Sequence, residues 1–320
     1  MAPGKSSRSL KTYPLQSRPS KVHIRDFARV SAQRPTVEHL IRDLPDILAA
    51  KDFKEFLAIL TGARDKRKAV IFGLGAHVIK VGLNPVLIDL MKRGWITALA
   101  LNGAGIIHDF EIALSGRTSE DVASQLKQGR FGMAQETGKI LNEAINAGAE
   151  MDLGLGEAVG RMIAGSSFPY KKHSLLGAAW RLRIPATVHV AVGTDTIHFH
   201  PQASGEALGK TSLKDFFRLC SELENLEDGG VYINAGSAVI LPEVFLKAVS
   251  FVRNRGVRLE NFSTAVFDFI HHYRPDQNVV RRPVGGKSRG FYFIGHHEIM
   301  IPLLAAALRS RQSSVVRRRG

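Results

Sequence analysis

Between residues 36 and 63 apolar positions recur at spacings of three and four. TVEHLIRDLPDILAA and DFKEFLAILTGA each carry the one-sided pattern of an amphipathic helix, and Thr36 and Asp52 are placed to cap their starts. From residue 68 the pattern changes to an alternation of two kinds of segment. KAVIFGLG is a continuous apolar run closed by glycines, AHVIKVGLNPVLIDLMKRG returns to helical spacing, and WITALALNGAG is a second apolar run ending in glycines. A short uninterrupted apolar run suits a strand buried on both faces, so strand, helix and strand in this order predict a βαβ unit and a parallel sheet.

Residues 105–182 form the longest interval without a strand and read as helical throughout, with Thr118-Ser119-Glu120-Asp121 as one helix start. The alternation resumes with IPATVHVAVG as strand, TSLKDFFRLCSELENL as helix and GGVYINAGS as strand. PEVFLKAVSFVRNRG follows as a helix with Pro242 in its first turn. FSTAVFDFI and GFYFIG are the last strands, and HHEIMIPLLAAALRS is the closing helix. The expected fold is α/β: a doubly wound, mostly parallel sheet of about six strands with helices on both faces. The expected organisation is one domain over residues 36–308 between a flexible basic tail at 1–35 and a second basic tail at 309–320.

Charge changes this picture only at the ends. The formal net charge is +15; residues 1–35 contribute +7 and residues 304–320 contribute +5, which leaves +3 for the body. Nonspecific nucleic-acid contact is therefore an expectation for the tails and not for the body. No run approaches the ~18–20 apolar residues of a membrane span, and no secretory signal is visible, so a cytoplasmic protein without a membrane partner is expected. An Arg- and Ser-rich, acid-poor start also fits an organelle transit peptide. The single cysteine, Cys220, excludes an intramolecular disulfide and reads as a buried, inert thiol in a helix.

Candidate chemistry concentrates where strands end. The ends read Gly73-Leu74-Gly75, Asn102-Gly103-Ala104-Gly105, Gly193-Thr194-Asp195, Asn234-Ala235-Gly236-Ser237 and Gly295-His296-His297. Glycine lets backbone approach a ligand closely, and a following helix start favours phosphate, so five such ends at one edge predict a nucleotide lying across it. The dinucleotide fingerprint is incomplete, because Val78 stands where its third glycine belongs and Asn102 replaces the acid that ends the second strand. His198 and His200 share a face if extended, as metal ligands would. Ser237 between strand and helix lacks the G-x-S-x-G elbow of a hydrolase.

The stretch IFGLGAHVIKVGLNPVLIDLMKRGWITALALNGAGIIHDFEIAL resembles deoxyhypusine synthases, and the similarity continues through IPATVHVAVGTD, GGVYINAG, YRPDQNVV and FYFIGHHEIMIPLLAAAL. The resemblance implies a tetrameric, NAD-binding fold in which NAD oxidises a polyamine and a lysine carries the aminobutyl group as an imine to an amine acceptor. Its paired glutamates fall on His108 and Asp109, and its histidine turn falls on Ile233-Asn234-Ala235. In its Arg-Pro-Asp-Glu segment Gln277 replaces the glutamate, Arg281 the tryptophan and Pro283 the lysine, and a four-residue insertion brings Lys287 to the Gly-Lys position.

The resemblance therefore implies Lys287 as covalent carrier, with His108 or His296 as proton shuttle. Cofactor contacts are expected from Gly73, Gly75, Asn102, Gly103, Ala104, Gly105, Asp109, Gly193, Asp195 and Gly295. The alternatives are a family member that has lost catalysis and binds a nucleotide or RNA, and a metal hydrolase built on His198 and His200.

Overall fold

The computed structural model describes residues 10–30 and 34–317, with side chains through residue 311. Six strands make one sheet: β1 Val70–Leu74, β2 Ala98–Asn102, β3 Ala186–His189, β4 Val231–Ala235, β5 Ser263–Asp268 and β6 Gly290–Ile294. Every neighbouring pair is parallel, in the order β3-β2-β1-β4-β5-β6. This is a doubly wound order, in which the chain turns back on itself between β1 and β4.

Helices α1 Val37–Asp43 and α2 Leu48–Asp65 precede the sheet, and α3 Ala76–Lys80 and α4 Asn84–Lys92 link β1 to β2. The long interval before β3 holds α5 Gly103–Ser115, α6 Val122–Leu126, α7 Gln135–Glu150, α8 Leu155–Gly165 and α9 Leu175–Leu182. Then α10 Gly205–Glu224 leads to β4 and α11 Ile240–Asn254 to β5. The single turn α12 Tyr273–Pro275 and a π-helical segment, Asp276–Arg281, lead to β6, and α13 His297–Arg317 follows it.

Both faces of the sheet are covered, which is why the strands read as unbroken apolar runs. Val70, Phe72 and Leu74 of β1 point with Leu99, Ile233 and Phe267 into a core shared with Phe56 and Leu60 of α2 and Phe110 of α5. The alternate residues, Ile71, Ala100, Tyr232 and Val266, face a second core built from Leu223 of α10 and Leu241, Phe245 and Val252 of α11. Tyr232 stacks on Phe245 at 3.8 Å and 8°. Its hydroxyl reaches Gly73, where a Cβ would stand only 2.4 Å away, so packing alone requires glycine there. Cys220 lies in this second core, where burial raises its thiol to about 11 and keeps it inert.

The free edge of β3 is closed by α10. Asp215 accepts hydrogen bonds from the Val188 amide at 2.6 Å and the Gly156 amide at 2.8 Å, while Ser212 pairs with Val190 N–H and Val188 C=O.

Several sequence expectations need adjusting. Thr36 does cap α1, accepting from the His39 amide at 3.3 Å, but α2 starts at Leu48, so Asp52 lies inside the helix. The stretch after β1 is two helices because Gly82 takes a left-handed turn at φ +82° and Pro85 starts the second. Gly103, Ala104 and Gly105 open α5 instead of ending β2. Part of the expected flexible N-terminal tail is bonded to the body: the Arg29 amide donates to Asp43 O and the Asp46 amide to Asp26 O. The C-terminal tail begins as helix, since α13 continues to Arg317. Of the two tails, residues 1–9, 31–33 and 318–320 lie outside the described residues. No helix among the described residues is long and apolar enough to cross a membrane.

Candidate functional site

Ligands of open α/β sheets gather outside the carboxyl ends of the strands, next to the point where the strand order reverses. Here that point is the contact between the β1 and β4 turns. The Gly75 amide donates to Ala235 O at 2.8 Å, and a Cβ on Gly75 would stand 1.9 Å from Gly236 O, so two stretches of backbone meet there. Gly236 is left-handed at φ +71° and lies under the ring of His297, the first residue of α13. His297 is fully buried; its Nε2–H donates to Phe267 O at 3.1 Å, while its Nδ1 has no partner among the described residues. Burial lowers its pKa, so it is a neutral imidazole with one free acceptor. His77 of α3 stands 5.5 Å from His297 and 6.0 Å from Phe269, and His296 stacks on Phe269 at 6.3 Å and 5°. Four rings thus roof the β1, β5 and β6 ends.

Across the switch point the β2 and β3 ends have a different character. Asn102 caps α5 by accepting the Gly105 amide at 3.1 Å. A Cβ on Gly103 would stand 1.9 Å from Oδ2 of Asp195, so the acid that follows β3 lies directly over the start of α5. Asp195 is 6% exposed and its Oδ2 has no hydrogen-bond partner among the described residues. Nε2 of His198 lies 3.7 Å away, too far for a hydrogen bond, and is equally without a partner among the described residues. Because Nδ1 of His198 accepts the Gly193 amide at 3.1 Å, Nε2 carries the ring proton and faces the acid. Burial pushes the Asp195 carboxyl up to about 6 and lowers His198. An unpaired buried acceptor of this kind is costly unless a ligand donates to it.

Beyond these, β5 ends in Asp268, 1% exposed, whose Oδ1 accepts the Phe269 amide at 2.9 Å and whose Oδ2 lies 3.8 Å from Nε2 of His272. Sequence reasoning named neither Asp268 nor His77 as a site residue, and of the adjacent pairs His271-His272 and His296-His297 it expected at most one ring each to face the site. An acid closing the apolar run FSTAVFDFI was the available signal for Asp268; nothing local marks His77, which three-dimensional packing brings to the edge.

Of the expected residues, Gly75, Asn102, Gly103, Ala104, Gly193, Asp195, Gly295 and His296 all lie at this edge. The five others are Lys287, Asp109, Gly73, Gly105 and His108. Lys287 is exposed in the turn before β6, at the opposite end of the sheet; at ~3.3 Å per residue the five residues of β6 alone separate it from the edge by about 16 Å. Asp109 is fully buried, and its two oxygens accept from Ser174 Oγ, the Leu175 and Leu176 amides and Asn84 Nδ2 at 2.6–3.1 Å. It caps α9 and ties it to α4, with no capacity left for a ligand. Gly73 serves the packing of Tyr232, and Gly105 packs on Leu101.

His108 heads a chain: its Nδ1–H donates to Thr118 Oγ1 at 2.7 Å, which donates to Glu111 at 2.5 Å. Burial lowers its pKa, leaving Nε2 as an acceptor. The alternative metal pair is not formed, because residues 196–199 are a 3-10 turn and not extended, and His200 donates to Gly132 O at 2.8 Å.

The sheet is a Rossmann-type sheet. Solved structures share it. AgrE in its ternary complex with ornithine and NAD+ superposes with a TM-score of 0.51 at 20% identity, over 89% of this chain and 35% of that one. A conserved candidate LOR/SDH protein from Methanococcus maripaludis S2 superposes at 0.50 with 16% identity, over 89% of this chain and 73% of that one. A candidate deoxyhypusine synthase from Entamoeba histolytica reaches 0.49 at 10% identity, over 85% and 93%, a match too loose to bear on function. These likenesses establish a common fold alone, and this chain spans about a third of the length of AgrE. No family model matches the chain, and no curated protein matches it in sequence.

Proposed function

We propose that the carboxyl edge binds NAD and an amine substrate, and that the chain oxidises the amine carbon or holds the two together for transfer. The observation that carries this reading is Asp195: a buried carboxylate without a donor, poised over the glycine start of α5 at the switch point of a doubly wound sheet. Doubly wound dinucleotide sites use an acid to receive a ribose hydroxyl. Asn102 cannot fill that role at the end of β2, and Asp195 supplies the acid from the next strand. The residues therefore fit the sugar part of the cofactor, and the close backbone approach at Gly75 and Gly236 suits a ligand crossing the edge. When bound, the nicotinamide would supply a hydride acceptor.

The amine is assigned to the β5 end, where Asp268 and His272 offer a buried carboxylate and an imidazole able to hold a cationic nitrogen and take its proton. An amine and a dinucleotide together occupy AgrE, in keeping with this pairing. A polyamine is the expected substrate. A lysine-bound imine intermediate is not part of the proposal, because Lys287 stands at the far end of β6. The exposed Phe269, Ile270, Tyr273, Ile294 and Ile299 lie beside this edge and support a homo-oligomer, expected as a tetramer.

Thermal unfolding with NAD, NADH and spermidine tests the reading, since a ligand that selects the folded state raises the Tm. A rise with NAD that grows when spermidine is added supports it. No rise with either nucleotide refutes it.

A further inference from the structure

A second concave site lies away from the carboxyl edge, beside the amino end of β3. It is a cavity of about 940 Å³ between α8, α9 and α10. Sites for small molecules span ~300–1,000 Å³. Its floor is small and apolar, formed by Ala164, Ala179, Ile184 and Pro185. Its rim is cationic: Arg161, Arg181, Arg183, Lys214 and Arg218 line it, against Glu157 and Asp215.

The cations differ in how they are engaged. Lys214 is paired with Asp152 at 2.5 Å, and Arg218 with Glu222 at 3.1 Å. Arg161 donates to the sulfur of Met151 at 3.2 Å. The guanidinium groups of Arg181 and Arg183 have neither a hydrogen bond nor an ion pair among the described residues, although the Arg183 amide donates to Trp180 O at 3.1 Å. Asp215 does little to neutralise them, because its Oδ2 is turned to the Gly156 and Val188 amides, and burial holds its carboxyl at about 7. Trp180, 40% exposed, lines the same cavity. The chain's other tryptophan is different: Trp95 is buried, with the Arg64 guanidinium 4.4 Å above its ring.

We propose that this cavity binds a nucleoside phosphate, with the base on Trp180 and the phosphate held by Arg181 and Arg183. Guanidinium groups recognise phosphate oxygens in pairs, and an exposed indole gives a planar base a surface to stack on. The apolar floor suits a sugar and base and not a free anion alone. This site is separate from the carboxyl edge and does not depend on NAD binding there.

The test is Trp fluorescence of the full chain titrated with AMP, adenosine, inorganic phosphate and a short single-stranded RNA. Saturable quenching by AMP is expected, lost in Trp180→Phe, with phosphate displacing AMP and adenosine binding about tenfold more weakly or worse. The double variant Arg181→Glu, Arg183→Glu should abolish quenching, and the milder Arg181→Ala should weaken it several-fold. Both positions are exposed, and circular dichroism of each variant confirms the fold. Absence of saturable quenching by AMP, or quenching that survives the double reversal, overturns the proposal. Equal affinity for phosphate and AMP overturns the nucleoside part of it. RNA binding far more tightly than AMP assigns the surface to nucleic acid instead and overturns it too.

Discussion

The carboxyl edge of the sheet and the amino ends of β5 and β6 treat their polar residues differently. At the amino ends of β5 and β6 the cations are engaged by neighbouring groups: Arg289 pairs with Asp52 at 3.4 Å and Glu55 at 3.0 Å, and Arg253 donates to Leu259 O and Pro283 O. At the carboxyl end polar atoms are buried and left waiting, among them Asp195 Oδ2, His198 Nε2 and His297 Nδ1. Unpaired buried groups cost stability, and three of them gather at this one edge. Position relative to strand direction, and not residue type, separates the two ends. Lys287 is the clearest case: chemically apt, and on the wrong end.

The largest effect should come from filling the switch point. Gly75→Ala places a Cβ against the Gly236 backbone, which cannot swing aside as a side chain would; a loss of about 3 kcal/mol or more in denaturant unfolding is expected, near the upper range for overpacking. If the variant unfolds like the parent chain, the β1 and β4 turns do not meet as described.

Asp109→Ala should come next, at about 3 kcal/mol, because it strands two amides, a hydroxyl and an amide group that now share one carboxylate. Its loss should lower the Tm, with NAD affinity unchanged where the protein remains folded. A selective loss of NAD binding would return Asp109 to the site.

A smaller effect is tied to pH. The folded pKa of Asp195, about 6, lies above its unfolded value, so the native state binds the proton more tightly. That contribution is present at pH 4, fades as pH rises through 6, and amounts to roughly 2–3 kcal/mol. Asp195→Asn should remove this part of the slope from a plot of unfolding free energy against pH; an unchanged slope would mean that the acid is already satisfied. Lys287→Ala should do least, changing stability by under about 0.5 kcal/mol and leaving ligand binding intact.

Much of the fold was legible because a parallel sheet writes its strands as apolar runs between glycines, and all six runs became strands. Boundaries were harder where one residue type serves two purposes. The glycines at 103 and 105 read as the end of a strand and turned out to open a helix; Asp52 read as a cap and lies in the second turn of α2. At the carboxyl edge, His296 was placed by the end of β6 two residues before it, whereas Asp195 was placed by a strand expected to run to Gly193, which ends at His189. Asp109 misled because a carboxylate one turn into a helix looks the same in sequence whether it faces a ligand or caps a neighbouring helix. His77 and His272 gain their meaning only from the rings and acids that tertiary packing sets beside them.

Isothermal titration of NAD into the parent chain and the Asp195→Ala and Lys287→Ala variants tests directly the proposed role of Asp195 as the acceptor for a ligand donor. Saturable binding that weakens about tenfold or more in Asp195→Ala, as expected for losing a hydrogen bond to a charged group, and is unchanged in Lys287→Ala is the predicted result. Binding insensitive to Asp195, or abolished by Lys287→Ala, would contradict it.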